Sequence, residues 1–86
     1  MASEKLKREV FDKATPVRGR DPEAWRRDVA GNLIRYASHG THGEYGWEID
    51  HKVPVSKGGS DNIRNLQALH HEDNAAKSDK HPHRHG

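Results

Sequence analysis

Residues 47–80, WEIDHKVPVSKGGSDNIRNLQALHHEDNAAKSDK, decide the fold. WEIDHKVPV (47–55) is rich in aromatic and β-branched residues and predicts a strand. Pro54 must end that strand or confine it to a sheet edge, because proline has no N–H for a ladder. SKGGSDN (56–62) is a turn-rich loop, and IRNLQALH (63–70) is a second apolar run, suited to a partner strand. HHEDNAAKSDK (70–80) carries Ala, Glu and Lys, with acids near its start and Lys near its end, which favours a short helix. The order is strand, loop, strand, helix.

Upstream, SEKLKREVFDKA (3–14) places Leu6, Val10 and Ala14 at four-residue spacing behind Ser3, a good N-cap, with Glu4–Arg8 and Glu9–Lys13 at i,i+4. This predicts an amphipathic helix. Pro16, Gly19 and Pro22 predict a loop over 15–21, after which Asp21-Pro22 starts a second helix with Trp25, Val29 and Leu33 on one face. Gly31 closes that helix if LIRYA (33–37) is a strand, the reading we favour, or the face runs on through Tyr36. SHGTHGEYG (38–46) reads as a loop and HPHRHG as a frayed tail. Trp25, Trp47, Val53, Ile63, Leu66 and Leu69 are the expected core. The boundaries are thus an N-terminal helix and loop (1–21), a main domain (22–80) and a His-rich tail (81–86).

A chain of 86 residues allows one small domain. Leu, Ile, Val and Phe supply 13 of its residues, about 15%, so the core is thin. Without Cys, neither a disulfide nor a thiolate zinc cluster can staple it, and the eight His make metal the first candidate. No apolar run reaches the ~18 residues of a membrane span and the N-terminus is charged, so a cytoplasmic protein with no membrane partner is expected. A net charge of +2 permits nucleic-acid binding without requiring it.

Asp50-His51, Pro54, Gly58-Gly59, Asp61, Asn65-Leu66-Gln67, Leu69, Asn74 and Lys77-Ser78 form a spaced string, with His51 to Asn65 separated by 14 residues and Asn65 to Asn74 by nine. The string resembles the HNH nucleases, the ββα-metal superfamily. The resemblance implies an α+β fold, a small ββα-metal core with an N-terminal helical extension, and a metal-dependent DNA endonuclease. His51 is then the general base, since an imidazole accepts a proton near neutral pH. Asp50 and Asn74 are oxygen ligands of one divalent cation, in a site left open for phosphate and water. Asn65 belongs to the catalytic set as the residue that pins the loop and orients the base.

Many members carry His where this chain has Asn74, and many carry Cys pairs for a structural zinc, absent here. An amide oxygen in place of an imidazole favours Mg²⁺ or Mn²⁺, with Ni²⁺ or Zn²⁺ as weaker candidates. Ser78, where some members have a second helical His, is a poor ligand. Lys77, Lys52, Lys57 and Arg64 are candidate phosphate contacts, Lys77 foremost because it follows Asn74 by three residues on the helix. His70, His71, His39, His42 and Glu48 are read as ordinary loop, strand or helix residues before ligands, and His81, His83 and His85 receive no role. The expected activity is nicking of duplex DNA with weak sequence preference, leaving 3′-hydroxyl and 5′-phosphate ends. A homodimer, or a separate recognition or packaging partner, would add double-strand cleavage or specificity. The rivals are a ββα module that binds DNA or protein without catalysis, and a nuclease acting on RNA.

Overall fold

The computed structural model describes residues 3–79. Helix α1 (Glu4–Asp12) starts where the Ser3 hydroxyl accepts the Leu6 N–H at 3.1 Å, a capping bond that satisfies one of the free N–H groups of the first turn. Its ion pairs are Glu4–Lys7 and Arg8–Asp12, at 2.7 and 3.3 Å, instead of the two pairs expected from spacing. Lys13 lies just past the helix end and reaches across the molecule, donating to the carbonyls of Ile63 and of Leu66, the latter at 2.7 Å.

Residues 15–35 hold a small antiparallel sheet of β1 (Thr15–Pro16), β2 (Trp25–Arg27) and β3 (Leu33–Arg35), in that order. The expected helix from Pro22 is therefore corrected to a single turn. The Asp21 carboxylate accepts the Glu23 N–H and its carbonyl accepts those of Ala24 and Trp25, after which the chain extends. Asp28 then reverses it. One carboxylate oxygen takes the N–H groups of Ala30 and Asn32 at 3.0 and 2.8 Å, and Gly31 turns at φ +88°. Aspartate offering its own acceptors to nearby N–H groups competes with the helix, and here it prevails. Val29, expected on a helical face, is 73% exposed at the tip of this turn.

The second sheet pairs β4 (Trp47–His51) with β5 (Leu66–His70), antiparallel, with Trp47 opposite His70 and His51 opposite Leu66. Helix α2 (His71–Asp79) follows β5 directly and packs on this sheet, completing a ββα unit within an α+β fold. Val10, Phe11, Ile34, Trp47, Leu66 and Ala68 form one buried cluster. Trp47 is fully buried, with its indole N–H on the Arg35 carbonyl at 2.8 Å and Phe11 tilted against it at 5.2 Å. Two expected core members sit elsewhere. Val53 is 48% exposed, and Trp25 is half-buried, with the Arg20 and Arg35 guanidiniums 4.4 and 5.4 Å from its ring centroid and Tyr45 edge-on to it. Among the described residues, no helix is long and apolar enough to cross a membrane.

Candidate active site

Period-two alternation puts Glu48 and Asp50 on the β4 face opposite that of Trp47, Ile49 and His51. Asp50 is 8% exposed and pairs across the ladder with Gln67, whose amide donates to its Oδ2 at 2.8 Å. The same oxygen accepts the Lys77 ammonium at 2.7 Å, and Lys77 also donates to the His51 carbonyl at 2.8 Å. Lys77, expected as a phosphate contact, thus uses two of its three N–H groups inside the protein, tying α2 to the end of β4. Asp50 Oδ1 accepts no hydrogen bond from the described residues.

Asp50 and His51 leave β4 on opposite faces, yet both line one cavity of about 240 Å³ together with Asn74, Lys77, Pro54 and Val55. This is feasible because β4 pairs with β5 on one side only, and its other edge carries a single bridge, at His39 and Trp47. No β5 residue lines the cavity. His51 Nε2 lies 2.7 Å from Asp61 Oδ1. An ionised carboxylate can only accept, so in the neutral ring Nε2 carries the proton and Nδ1 keeps the lone pair.

Within the loop from Lys52 to Asn65, the Asn65 side chain makes three hydrogen bonds. Asn65 Oδ1 accepts the Val53 N–H at 2.9 Å, and its amide nitrogen donates to the Val53 and Ser60 carbonyls at 3.1 and 2.8 Å. Gly59 belongs to the same knot, since a Cβ there would run into the Val53 carbonyl. Lys57 and Arg64 are exposed on 3-10 turns of this loop, at Val55–Lys57 and Ile63–Asn65, and neither lines the cavity of Asp50, His51 and Asn74. Lys52 is exposed beside a different cavity, shared with Lys13.

The histidines of the 38–46 loop and of the β5–α2 junction serve local structure. His70 Nε2 donates to the Glu44 carbonyl at 2.7 Å while its Nδ1 accepts the Glu72 N–H, and His71 Nε2 donates to the Gly43 carbonyl at 2.9 Å. The His39 ring stands edge-on to Trp47 at 4.8 Å, and burial, with Lys7 adding to it, lowers its pKa below 6.5. The side chain of Ser78 and residues 81–86, with His81, His83 and His85, lie outside the described residues.

No cluster of three His, Cys, Asp or Glu able to hold a metal occurs among the described residues, so a closed structural zinc site is not formed there. The chemistry of the donor set fits a hard cation instead. A carboxylate oxygen with no partner among the described residues, Asp50 Oδ1, and an amide, Asn74, share a cavity with room for further ligands.

Residues 37–80 match the family described as HNH endonuclease, a stretch of just over half the chain. The chain belongs to the HNH endonuclease family. No curated protein and no solved structure matches it. HNH proteins are generally endonucleases and generally use divalent metals, which ties this chain to nucleic acid. Two HNH-string residues gain contacts that their place in the sequence did not reveal. Asp61 holds the His51 ring and Gln67 holds the Asp50 carboxylate. The signal for Gln67 was available, because antiparallel pairing of two five-residue strands puts it opposite Asp50. Asp61 depends on a loop path that no local rule gives.

Proposed function

We propose that this HNH protein is a metal-dependent DNA endonuclease that nicks duplex DNA with weak sequence preference and leaves 3′-hydroxyl and 5′-phosphate ends. The observation that carries the reading is the gathering of Asp50, His51 and Asn74 around one cavity. Asp50, through the oxygen that Lys77 and Gln67 do not occupy, and Asn74 would hold a divalent cation, Mg²⁺ or Mn²⁺ by donor hardness, with Ni²⁺ or Zn²⁺ bound less well. When bound, that cation supplies charge stabilisation at the phosphodiester and the departing 3′ oxygen.

The remaining work falls to the chain's own groups. His51 takes the proton of the attacking water at Nδ1, while Asp61 holds Nε2–H and stabilises the imidazolium that results. Lys77 and Gln67 fix the Asp50 carboxylate by its other oxygen. Asn65 keeps the loop carrying Asp61 against Val53 and so keeps the base aligned. Lys52, Lys57 and Arg64 contact backbone phosphates without reading sequence.

Supercoiled plasmid incubated with Mg²⁺, Mn²⁺, Ni²⁺ or Zn²⁺, with and without EDTA, tests the reading beside His51→Ala. Removing a general base lowers the rate by about 10²–10⁴-fold. Nicking that requires metal and falls by that factor in His51→Ala is the expected result. Equal traces of nicked product from both proteins in every metal would remove catalysis and leave a binding module. Labelled RNA in the same assay separates the two substrates.

A further inference from the structure

The family match begins at residue 37, and the segment before it contributes to a second cavity, of about 210 Å³. Its polar lining is Lys13, Thr15, Arg27, Asp28, Lys52 and Gln67. Three cations face one space, and none of them forms a salt bridge to a carboxylate of the described residues. Asp28 does not offset them by direct pairing, because its carboxylate is saturated. Oδ1 accepts from Ala30 and Asn32 N–H, and Oδ2 accepts from the Asn32 amide and the His70 N–H.

Donors remain. The Lys13 ammonium gives two protons to carbonyls and has a third, and Arg27 gives one of five to the Gly31 carbonyl. The Lys52 ammonium and Thr15 hydroxyl have no partner among the described residues. Desolvation first, and repulsion from Lys52 second, lower the Lys13 pKa below 10.5, a cost that an anion between the two ammoniums would relieve. Gln67 links the cavity to the active site. It lines this cavity and donates to Asp50, while Lys52 directly follows His51.

We propose that this cavity is a second phosphate site, which holds a backbone phosphate of the nucleic acid strand lying in the Asp50–His51–Asn74 cavity. The inference rests on the nucleic-acid reading above and gives the N-terminal segment a part in it. Bidentate donation by Arg27 and the point charges of Lys13 and Lys52 suit a phosphodiester, which presents two acceptor oxygens and one charge.

Binding of the full chain to a short DNA duplex is measured over a salt series in EDTA, so that catalysis plays no part. Each phosphate neutralised contributes about 0.9 to the slope of log K against log salt. Arg27→Gln should reduce that slope by about one, whereas Arg18→Gln, which removes the same charge from an exposed loop position, should leave it unchanged. Coincident slopes for the two variants would overturn the site, as would a wild type that does not bind the duplex. Amide NMR of the wild type titrated with inorganic phosphate is the second measurement and needs no substitution. Shifts centred on residues 13–15, 27–28, 52 and 67 are expected, and shifts centred elsewhere would contradict the assignment. Phosphate shifts at the site together with an unaltered Arg27→Gln slope would make it a free-anion site off the nucleic-acid path, also overturning the proposal. Plasmid nicking judges the nuclease reading separately, since a protein without cleavage activity can still pass or fail the slope comparison.

Discussion

Asp61 is 87% exposed at its side chain, a position where substitutions ordinarily shift stability by no more than about 0.5 kcal/mol, yet it holds the ring proposed as the base. Asp61→Asn should therefore melt like the wild type and nick about 10–100-fold more slowly, the usual cost of losing a group that orients a catalytic imidazole. Undiminished nicking would take Asp61 out of the site. His39 gives a pH dependence of the fold. Burial holds its folded pKa below 6.5, so on acidification the unfolded chain takes up the proton first, and stability present above pH 6.5 falls as pH drops through the window beneath it. Lys7 reinforces this, while Glu48 and Glu4 oppose it. His39→Phe keeps a ring against Trp47 without a titrating group, and denaturation between pH 7.5 and 5 should show a shallower loss for it than for the wild type.

At the scale of elements, Asp28 ties the N-terminal sheet to the ββα unit. Its Oδ2 receives the His70 N–H from 42 residues away at 2.8 Å, and its partner Asn32 donates to Asp73 on α2. Asp28→Ala leaves four N–H donors without their acceptor and should destabilise the fold by about 3 kcal/mol in chemical denaturation, the large end for buried polar losses. The same residue explains which elements were legible in the sequence. α1, β4, β5 and α2 carry their own signals: a Ser cap, an aromatic and β-branched stretch that pairs only over 47–51 and ends three residues before Pro54, an apolar run, and a run of helix formers. Trp25, Val29 and Leu33 also carry a helical spacing, but the competing acceptor is Asp28, and its geometry depends partly on a strand far along the chain. The site divides in the same way. Asp50, His51 and Asn74 meet around one cavity because short elements adjacent in sequence pack together, whereas the Lys77 ammonium turning inward to Asp50, and Asp61 reaching His51, depend on tertiary placement that spacing does not encode.

For the whole molecule, the thin core is spread along the chain, from Val10 and Phe11 through Ile34 to Trp47, Leu66 and Ala68. Lys13 adds cross-links by hydrogen bonding to Ile63 and Leu66, so the composition that suggested a metal staple is met by long-range polar ties. The protein should fold without metal. The Lys77 ammonium already sits on Asp50, which weakens the pull on a second cation, and at several times its dissociation constant Mn²⁺ should add about 1 kcal/mol, a rise of about 4–8 °C in Tm. Calorimetry with and without EDTA checks this, and a chain unfolded in EDTA would return attention to the histidines. The edge-on His39 ring also gives the protein an optical probe of its own. Imidazolium quenches a neighbouring indole more strongly than imidazole does, so the emission of Trp47, set in the blue by full burial, should dim on acidification before the chain unfolds, while half-buried Trp25, near two arginines, supplies an internal red-edge reference.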